Sequence, residues 1–387
     1  MTAFWNHEYF GKHGLRVMKI TVITVCYNSK NTIENAIKSV IEQCYEELEY
    51  IVIDGGSIDG TIERINKYSQ YITYFQSEPD KGIYDAMNKG LCHATGDVVA
   101  FLNSDDTYMP DALSRAAGYF ETDAIDVLAG EVRYMCNGYV LPQIVQDVDP
   151  EELHYRMIYC HQGMFVKREV FDILGGFNTD YGLASDYELS LRAHNLGFRF
   201  KKVDDVFANF NVDGTSQARY YQCTREIREI ALQNIGGHKE GLLEQINTRV
   251  DLDDAYRQNV INLVCKKDAY YIKSLFGEYH RILIWGTGRV GADFLRLLLC
   301  SGIVIAGFID SYHHTTQKWG FPVFSPECLG CGAFVCIGTL DYEDEIIQGL
   351  RDRNYSEQQY MTYPCFIKKI LKYGSGKYAD YILKDVN

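Results

Sequence analysis

The sequence lacks a long apolar run, an excess of basic residues and an N-terminal leader pattern. Because no stretch of about 18 uninterrupted apolar residues occurs, it predicts no transmembrane helix. Met1 to Arg16 contain no apolar run of signal-peptide length, so we expect a cytoplasmic protein whose 12 cysteines are reduced thiols. The formal net charge of −14 argues against nucleic acid as a partner, since phosphate backbones attract basic surfaces.

Apolar strands alternate with amphipathic helices through the first part of the 387-residue chain, which is long enough for two domains or three small ones. This alternation predicts an α/β fold with a parallel sheet covered by helices on both faces. The first helix is expected to begin near Asn31, with Glu34 as its capping-box partner. The predicted strands are Lys19 to Cys26, Tyr50 to Ile53, Ile72 to Phe75 and Val98 to Leu102.

Two adjacent carboxylates, Asp105 and Asp106, follow the fourth of these strands. Such a pair is repulsive unless positive charge lies beside it, and Mg²⁺ or Mn²⁺ carrying substrate phosphates commonly fills this role. The alternative is a polar turn, because Asn, Ser and Asp are also typical of the end of a strand. Ligands of parallel sheets bind beyond the carboxyl ends of the strands, so the polar residues after the other strands are expected to gather there too.

Four motifs occur in a specific order between Lys19 and Ser216, about half of the chain. They are TVCYNS, VIDGGSIDGT, EPDKGIYDAMNKG and ATGDVVAFLNSDD. In this order and spacing they resemble family 2 glycosyltransferases with the GT-A fold, in particular the bacterial branch that builds O-antigens, capsules and exopolysaccharides. The resemblance implies a mixed, mainly parallel sheet with helices on both faces and a nucleotide-diphosphate sugar as the donor.

The resemblance places the nucleotide at the loops after the first two strands. It implies contacts to the base and ribose from Thr24, Tyr27 and Asn28 and from Asp54 with Gly55. A carboxylate accepts a hydrogen bond from the imide N–H of uracil, so Asp54 favours a uridine donor. The alternative is that Asp54 and the glycines after it only form a tight turn.

The family's D-x-D element reads Ser-Asp-Asp in this chain. The resemblance assigns Asp106 to direct metal ligation and Asp105 to the ribose or the metal shell, with Mn²⁺ or Mg²⁺ as the cofactor. Lys81 either offsets phosphate charge or is an exposed, solvated residue. Asp85 and Asn88 either face the donor sugar or belong to the helix surface.

An acidic residue at the start of a later helix is the general base of the family, and Asp186 matches it. A carboxylate in reach of the acceptor hydroxyl is suited to remove its proton. The alternative role is an N-cap, which Ser185 is equally suited to fill. His161, in the predicted strand Tyr159 to Val166, either lines the acceptor pocket or is a structural residue.

These assignments imply an inverting hexosyltransferase. The acceptor oxygen attacks the anomeric carbon opposite the nucleotide, and the cation neutralises the departing diphosphate. The acceptor is expected to be a glycan or a lipid-linked oligosaccharide of surface polysaccharide synthesis, which brings the enzyme transiently to the inner membrane face.

A second α/β unit is predicted near the end of the chain. The strand Arg281 to Trp285 leads into Gly286, Gly288 and Gly291, and Asp310 follows about 20 positions later, which is the dinucleotide-binding fingerprint in its proper context. The remaining chain is too short for a full dehydrogenase. The unit is therefore either a Rossmann-like domain that binds a nucleotide or nucleotide sugar, or a purely structural one.

The predicted organisation has five parts, with a helical connector between the two α/β units. Gly374 and Gly376 are expected to prevent a helix that would align Tyr373 with Lys377 as in short-chain dehydrogenases. The parts are an N-terminal extension (1–17), a GT-A catalytic domain (18–218), the connector (219–278), the Rossmann-like domain (279–365) and a C-terminal tail (366–387).

Three other functional classes remain open at this point. A non-catalytic nucleotide-sugar sensor would not need Asp186. A sugar-nucleotidyltransferase would need a Gly-rich, Arg-containing loop after the first strand, where the chain has CYNSK. An NAD-dependent oxidoreductase would depend on the C-terminal glycines alone.

Overall fold

The computed structural model contains two α/β units joined by helices. It describes residues 17–142, 149–212, 219–234, 243, 246, 250–311, 315–329 and 332–384. All of the predicted N-terminal extension except Val17 lies outside these ranges.

The first unit contains the nine strands of the larger sheet. They are β1 Ile20–Cys26, β2 Leu48–Asp54, β3 Tyr74–Ser77, β4 Val98–Phe101, β5 Thr107–Tyr108, β6 Val127–Cys136, β7 Tyr139–Val140, β8 Met164–Lys167 and β9 Phe200–Asn211. Its described helices are α1 Ile33–Ile41, α2 Thr61–Asn66, α3 Ile83–Leu91, α4 Ala112–Thr122, α5 Arg168–Leu174 and α6 Ser185–Asn195.

The strands follow the order β3-β2-β1-β4-β8-β6-β9-β5, and β7 pairs with β6. The first four run parallel, with Cys26 beside Asp54 and Ile23 beside Phe101 in register. Further along, β8 is antiparallel to both β4 and β6, whereas β6 and β9 are parallel. The predicted mixed α/β fold is confirmed, and its parallel register brings the ends of β1 and β2 to one edge.

Apolar stripes on the helices fill the two sides of this sheet. On α1 the buried positions are Ile33, Ala36, Ile37 and Val40, which are spaced by three or four residues as an amphipathic helix requires. On α3 the buried residues include Ala86 and Met87 and pack against the opposite side of β1 and β2. The layers are therefore helix, sheet and helix.

Two local predictions are wrong. No side chain caps α1, and Glu34 instead accepts hydrogen bonds from Arg64 (2.6 Å) and Lys67 (3.1 Å), because these cations of the neighbouring helix are within its reach. The segment predicted as one strand from Tyr159 to Val166 contains a 3₁₀ turn at His161–Gly163, and its strand begins only at Met164.

Helices link the first unit to a second, smaller sheet. They are α7 Tyr220–Gln233, α8 Leu252–Lys267 and α9 Ala269–Ser274. The strands are β10 Arg281–Trp285, β11 Gly307–Ile309, β12 Gln317–Lys318, β13 Phe321–Phe324, β14 Ala333–Ile337 and β15 Tyr360–Thr362, in the order β12-β13-β11-β10-β14-β15. Apart from the antiparallel β12–β13 pair they run parallel. The helices of this unit are α10 Arg289–Cys300, α11 Glu343–Asp352 and α12 Tyr363–Lys384.

The residues predicted as a tail belong to α12, which packs against α8. Phe366 and Ile370 are fully buried, so the helix is part of the core. A Cβ added to Gly374 would stand 2.5 Å from Cγ2 of Val264, so glycine permits the close approach of the two helices despite its low helix propensity. The expectation that the glycines prevent a helix is wrong. Among the described helices, none has the length and apolar character needed to cross a bilayer.

Candidate active site

A cavity of about 1120 Å³ opens at the carboxyl ends of β1 and β4. Its wall includes Tyr27 and Asn28 after β1, Asn103 and Asp105 after β4, and Asp186 in the first turn of α6. Residues from three separate stretches of the chain therefore meet where α/β sheets bind ligands.

The carboxylate of Asp186 is held by three donors. Oδ1 accepts hydrogen bonds from the Tyr84 hydroxyl and from the backbone N–H of the next residue, both at 2.9 Å, and Oδ2 lies 3.0 Å from Nδ1 of His161. Ala184 occupies the N-cap position, and no side-chain hydrogen bond caps the helix. Asp186 is thus not the N-cap, and Ser185 does not cap the helix either.

His161 connects Asp186 to the strand end that carries the acidic pair. Its Nε2 lies 3.2 Å from Nδ2 of Asn103. The neutral tautomer with the proton on Nδ1 satisfies both contacts, since Nε2 then accepts from the Asn103 amide and Nδ1 donates to Asp186. Oδ1 of Asn103 is buried and has no hydrogen-bond partner among the described residues.

The two carboxylates of the acidic pair differ in their exposure, and the direct metal ligation expected of Asp106 stays a prediction. Asp105 lines the cavity, whereas Asp106 is only 1% exposed and lies behind the wall. The two oxygens of Asp106 accept hydrogen bonds from Nε2 of Gln162 and from the backbone N–H of Asn211, each at 2.8 Å. Burial, together with the charge of Asp105, raises the pKa of Asp106 well above its usual range.

Two of the three residues predicted after β1 lie on the cavity wall. Tyr27 and Asn28 line it, and Asn28 is fixed in the left-handed region (φ 49°) by a hydrogen bond of 2.7 Å from its N–H to Oγ of Ser57. Thr24 does not line the cavity. It lies inside β1, fully buried, where its hydroxyl accepts from that of Tyr50 at 3.1 Å.

Asp54 is fully buried and holds the turn after β2 together. It accepts hydrogen bonds from the Ser77 hydroxyl (2.7 Å) and the backbone N–H of Ser57 (2.9 Å), among others. These contacts support the tight-turn alternative. Gly55 lies directly against Asp80, since a Cβ at Gly55 would collide with the Asp80 carboxylate. Asp80 itself lines the cavity.

Three predicted residues in or near α3, namely Lys81, Asp85 and Asn88, make contacts with other groups of the protein. The backbone N–H of Lys81 donates to Asp85 (3.1 Å), and the Asp85 carboxylate pairs with Lys89 at 3.3 Å. Asn88 exchanges two hydrogen bonds of 2.8 Å with the backbone of Phe177. Asn88 therefore ties α3 to the turn before α6, and none of the three lies among the described cavity residues.

The sequence prediction missed four residues of the site: Asp80, Tyr84, Asn103 and Gln162. Asp80 and Tyr84 lie within the EPDKGIYDAMNKG motif, so a signal existed for them. Tyr84 meets Asp186 across 102 positions of sequence, a pairing that only the fold brings about. Gln162 has no local signal beyond its place next to His161.

The glycine-rich loop of the second unit has the predicted placement at the start of α10. A Cβ at Gly291 would collide with the carbonyl oxygen of Gly286, which itself has a φ of 111°, whereas the space above Gly288 is open. Asp310 follows β11, and its carboxylate accepts a hydrogen bond from the Thr287 hydroxyl. The four predicted residues thus lie around one loop, and the carboxylate of Asp310 is hydrogen-bonded to a residue of that loop.

The mixed α/β fold is one that glycosyl-transferring enzymes have, and comparison with known proteins shows that this chain is similar to such enzymes. The glycosyl transferase family 2 model matches residues 21–177. The chain is 31% identical over 191 residues to an uncharacterized glycosyltransferase of Mycobacterium tuberculosis, covering 45% of this chain and 68% of that protein. It is 28% identical over 202 residues to a PGL/p-HBAD biosynthesis glycosyltransferase of Mycobacterium bovis, covering 50% and 77%.

The chain therefore belongs to glycosyl transferase family 2. Among solved structures, S. aureus TarS 1-349 in complex with UDP-GlcNAc aligns with a TM-score of 0.49 and 20% sequence identity, over 67% of this chain and 80% of that one.

Proposed function

We propose that this glycosyltransferase is an inverting hexosyltransferase that uses a UDP-linked sugar, with Asp186 as the general base. The observation that supports it most strongly is the Asp186 carboxylate, held by Tyr84 and His161 on the wall of the cavity that Asp105 also lines. A single displacement requires a general base on one side of the anomeric carbon and the residues that bind the leaving diphosphate on the other.

The acidic pair fits a divalent cation. Carboxylate oxygens are the preferred ligands of Mg²⁺ and Mn²⁺. Burial, and after it the charge of Asp105, raises the pKa of Asp106, and a bound dication would offset both by favouring the ionised carboxylate. Asp105 and Asp106 would hold the ion, which would neutralise the diphosphate leaving group. Gln162, which now donates to Asp106, would orient that carboxylate.

The protein's own residues account for the proton transfer. Asp186 accepts the proton of the acceptor hydroxyl as the oxygen attacks the anomeric carbon. Tyr84 remains a donor to Asp186, because burial and the adjacent carboxylate raise the pKa of its hydroxyl well above the usual value. His161 orients the other carboxylate oxygen. One displacement inverts the anomeric configuration.

The acceptor in this proposal is a hydroxyl of a glycan or a lipid-linked oligosaccharide. Two relatives have names that denote biosynthesis, the PGL/p-HBAD biosynthesis glycosyltransferase and a hyaluronan synthase of Pasteurella multocida, and these names support a biosynthetic role. A lipid-linked acceptor would bring the enzyme from the cytoplasm to the inner membrane face transiently.

A screen of nucleotide sugars with the full-length protein tests the proposal. Turnover with a UDP-hexose in Mn²⁺ or Mg²⁺, lost on adding a chelator, is the expected result. Asp105→Asn and Asp106→Asn should each raise the metal concentration that half-maximal turnover requires. The variant with the larger increase identifies the direct ligand. Turnover of no nucleotide sugar, despite binding of UDP, would instead favour a non-catalytic sensor.

For the glycine-rich loop of the second unit we propose binding of a nucleotide or nucleotide sugar. The open space above Gly288 at the start of α10 supports this, since phosphate approaches helix N-termini. Calorimetry of the full chain with UDP-sugars and NAD should detect a binding event separate from that of the catalytic cavity, which Gly288→Val removes while Gly376→Ala, also in open space, retains it. Equal heats in all three proteins would indicate a structural unit.

A further inference from the structure

Two histidines and a glutamate meet in the first α/β unit at a place that does not line the cavity. Glu151 and His154 belong to the 3₁₀ turn Pro150–His154, and His194 lies in the last turn of α6. One ligand atom from each residue lies within 4.8 Å of the others. None of the three is among the described residues that line the catalytic cavity.

The local sequence explains why the three side chains converge. A 3₁₀ helix has three residues per turn, so Glu151 and His154 project from the same face, with Oε2 and Nε2 3.7 Å apart. Asp149 fixes the start of the turn by accepting the N–H of Glu151 at 3.0 Å. From the other side, the ring of His194 meets that of His154 edge to face, with centroids 5.2 Å apart.

We propose that Glu151, His154 and His194 form a site for a transition-metal ion, with Zn²⁺ as the best match. Two imidazoles and one carboxylate are a ligand set that zinc accepts in proteins, with water in the fourth position. Hard cations such as Mg²⁺ prefer all-oxygen sites, so the nitrogen ligands distinguish this site from the acidic pair of the cavity.

The site requires only a small closing movement. Ligands about 2.1 Å from a tetrahedral zinc ion lie roughly 3.4 Å from one another. The Glu151 side chain is 68% exposed and therefore free to rotate toward the two rings. The imidazoles are supported by packing, since His194 also contacts the ring of Phe200.

A metal at this position would join two segments of the chain that each carry a residue of the active site. One is the segment that continues from His154 to His161, and the other is α6, which carries Asp186 at its first turn and His194 at its last. The bound ion would hold these parts together. It takes no part in the chemistry of the cavity, and the inference does not depend on the donor or acceptor proposed above.

The test is zinc binding by the full-length protein after removal of metals with a chelator. Titration with Zn²⁺ is compared among wild type, Glu151→Gln, His194→Gln and a matched control, His93→Gln, whose exposed ring stacks on Tyr74 at the edge of the same unit. Each zinc-site variant should bind one equivalent fewer, or bind it at least about 10-fold more weakly, while His93→Gln matches wild type. Asp105→Asn should also retain this equivalent, which separates it from the cavity site.

Co²⁺ provides an independent readout, because a tetrahedral nitrogen–oxygen site gives strong visible absorption that hexahydrated Co²⁺ lacks. Wild type and His93→Gln should show this spectrum, and Glu151→Gln should lose it. Since Glu151 is exposed, its replacement leaves the fold intact, which circular dichroism verifies. Equal zinc stoichiometry and affinity in wild type and Glu151→Gln would overturn the proposal.

Discussion

Nδ1 of His161 lies 3.0 Å from Oδ2 of Asp186, and the opposite ring nitrogen of the same histidine faces Asn103. The imidazole therefore bridges the proposed general base and the strand end that leads to Asp105. A change in the orientation of the ring would move the base relative to the donor corner. We therefore propose that His161 is a positioning residue rather than only a part of the acceptor pocket.

Replacing His161 by alanine should lower kcat by about 10- to 100-fold, which is at or below the lower end of the contribution of a general base. The KM for the nucleotide sugar should change little. The hydrogen-bond partners of the ring are Asp186 and Asn103, and neither is a predicted donor-binding residue. His161→Asn, which keeps a donor near Asp186, should recover part of the loss, and the pH profile of kcat should change in both variants. A pure increase in KM would instead place His161 in substrate binding.

Tyr84→Phe removes one hydroxyl and nothing else from the site. The Tyr84 hydroxyl donates to Asp186 at 2.9 Å from a buried position, so its loss should reduce the free energy of unfolding by about 1 kcal/mol. Activity should fall less than in His161→Ala, since two donors to Asp186 remain. Chemical denaturation and initial rates measure the two effects, and Tyr187→Phe is the control, because the Tyr187 hydroxyl has no partner among the described residues. Equal losses in the two phenylalanine variants would contradict the assigned role of Tyr84.

Glu49 should make stability depend on pH in acid. Burial alone would raise the pKa of Glu49, but hydrogen bonds from Lys19, Thr21 and Thr95 outweigh it and lower the pKa to about 2. A depressed carboxylate stabilises the fold above its unfolded pKa of 4.5, and this contribution is lost as the pH falls toward 2. The full difference corresponds to about 3 kcal/mol.

The comparison of wild type with Glu49→Gln measures this contribution. The difference in unfolding free energy should be largest above pH 5 and should shrink as the pH falls below 4.5. Denaturant titrations at pH 6, 5, 4 and 3 give the required series. A difference that stays constant across this range would contradict the lowered pKa of Glu49 in the folded protein.

Cys136 and Cys300 lie at the contact between the two α/β units, so oxidation of their thiols to a disulfide tests that contact. Their Sγ atoms lie 3.2 Å apart, at the ends of β6 and α10, and Nδ2 of Asn137 donates to the carbonyl of Leu299 at 2.8 Å beside them. Diamide, which removes two hydrogen atoms from a pair of thiols, should therefore join Cys136 to Cys300, since a disulfide requires an approach to about 2.05 Å. Non-reducing peptide mapping should find the bond in wild type and in the control Cys92→Ala, and its absence from both would place the two thiols apart.

Much of the fold could be predicted because it depends on local patterns. The apolar stripe of α1 and the run Val98 to Leu102 identify a helix and a buried strand without knowledge of their partners. The capping box at Glu34 failed because Arg64 and Lys67 compete for the carboxylate from another helix. The prediction at Gly374 failed for a similar reason, because this glycine lies against Val264 of another helix and leaves room for that contact.

The candidate site was predictable in its residue types more than in its contacts. The motif at the end of β4 identified Asp105 and Asp106 and the family resemblance identified Asp186, but neither showed which carboxylate of the acidic pair faces the cavity. That depends on Gln162 and on the backbone of Asn211, which reach Asp106 from distant parts of the chain. For Asp54 the sequence left a contact to the nucleotide and a tight turn open, and its carboxylate accepts hydrogen bonds from Ser57 of that turn and from Ser77 of the neighbouring strand.

The most direct measurement compares Asp186→Asn with wild type for both UDP-sugar turnover and UDP binding in the presence of Mn²⁺. Asparagine keeps the shape of the side chain and removes its capacity to accept a proton. The account predicts a loss of turnover of at least about 100-fold with UDP affinity unchanged. Undiminished turnover in Asp186→Asn, with UDP still bound, would contradict the account.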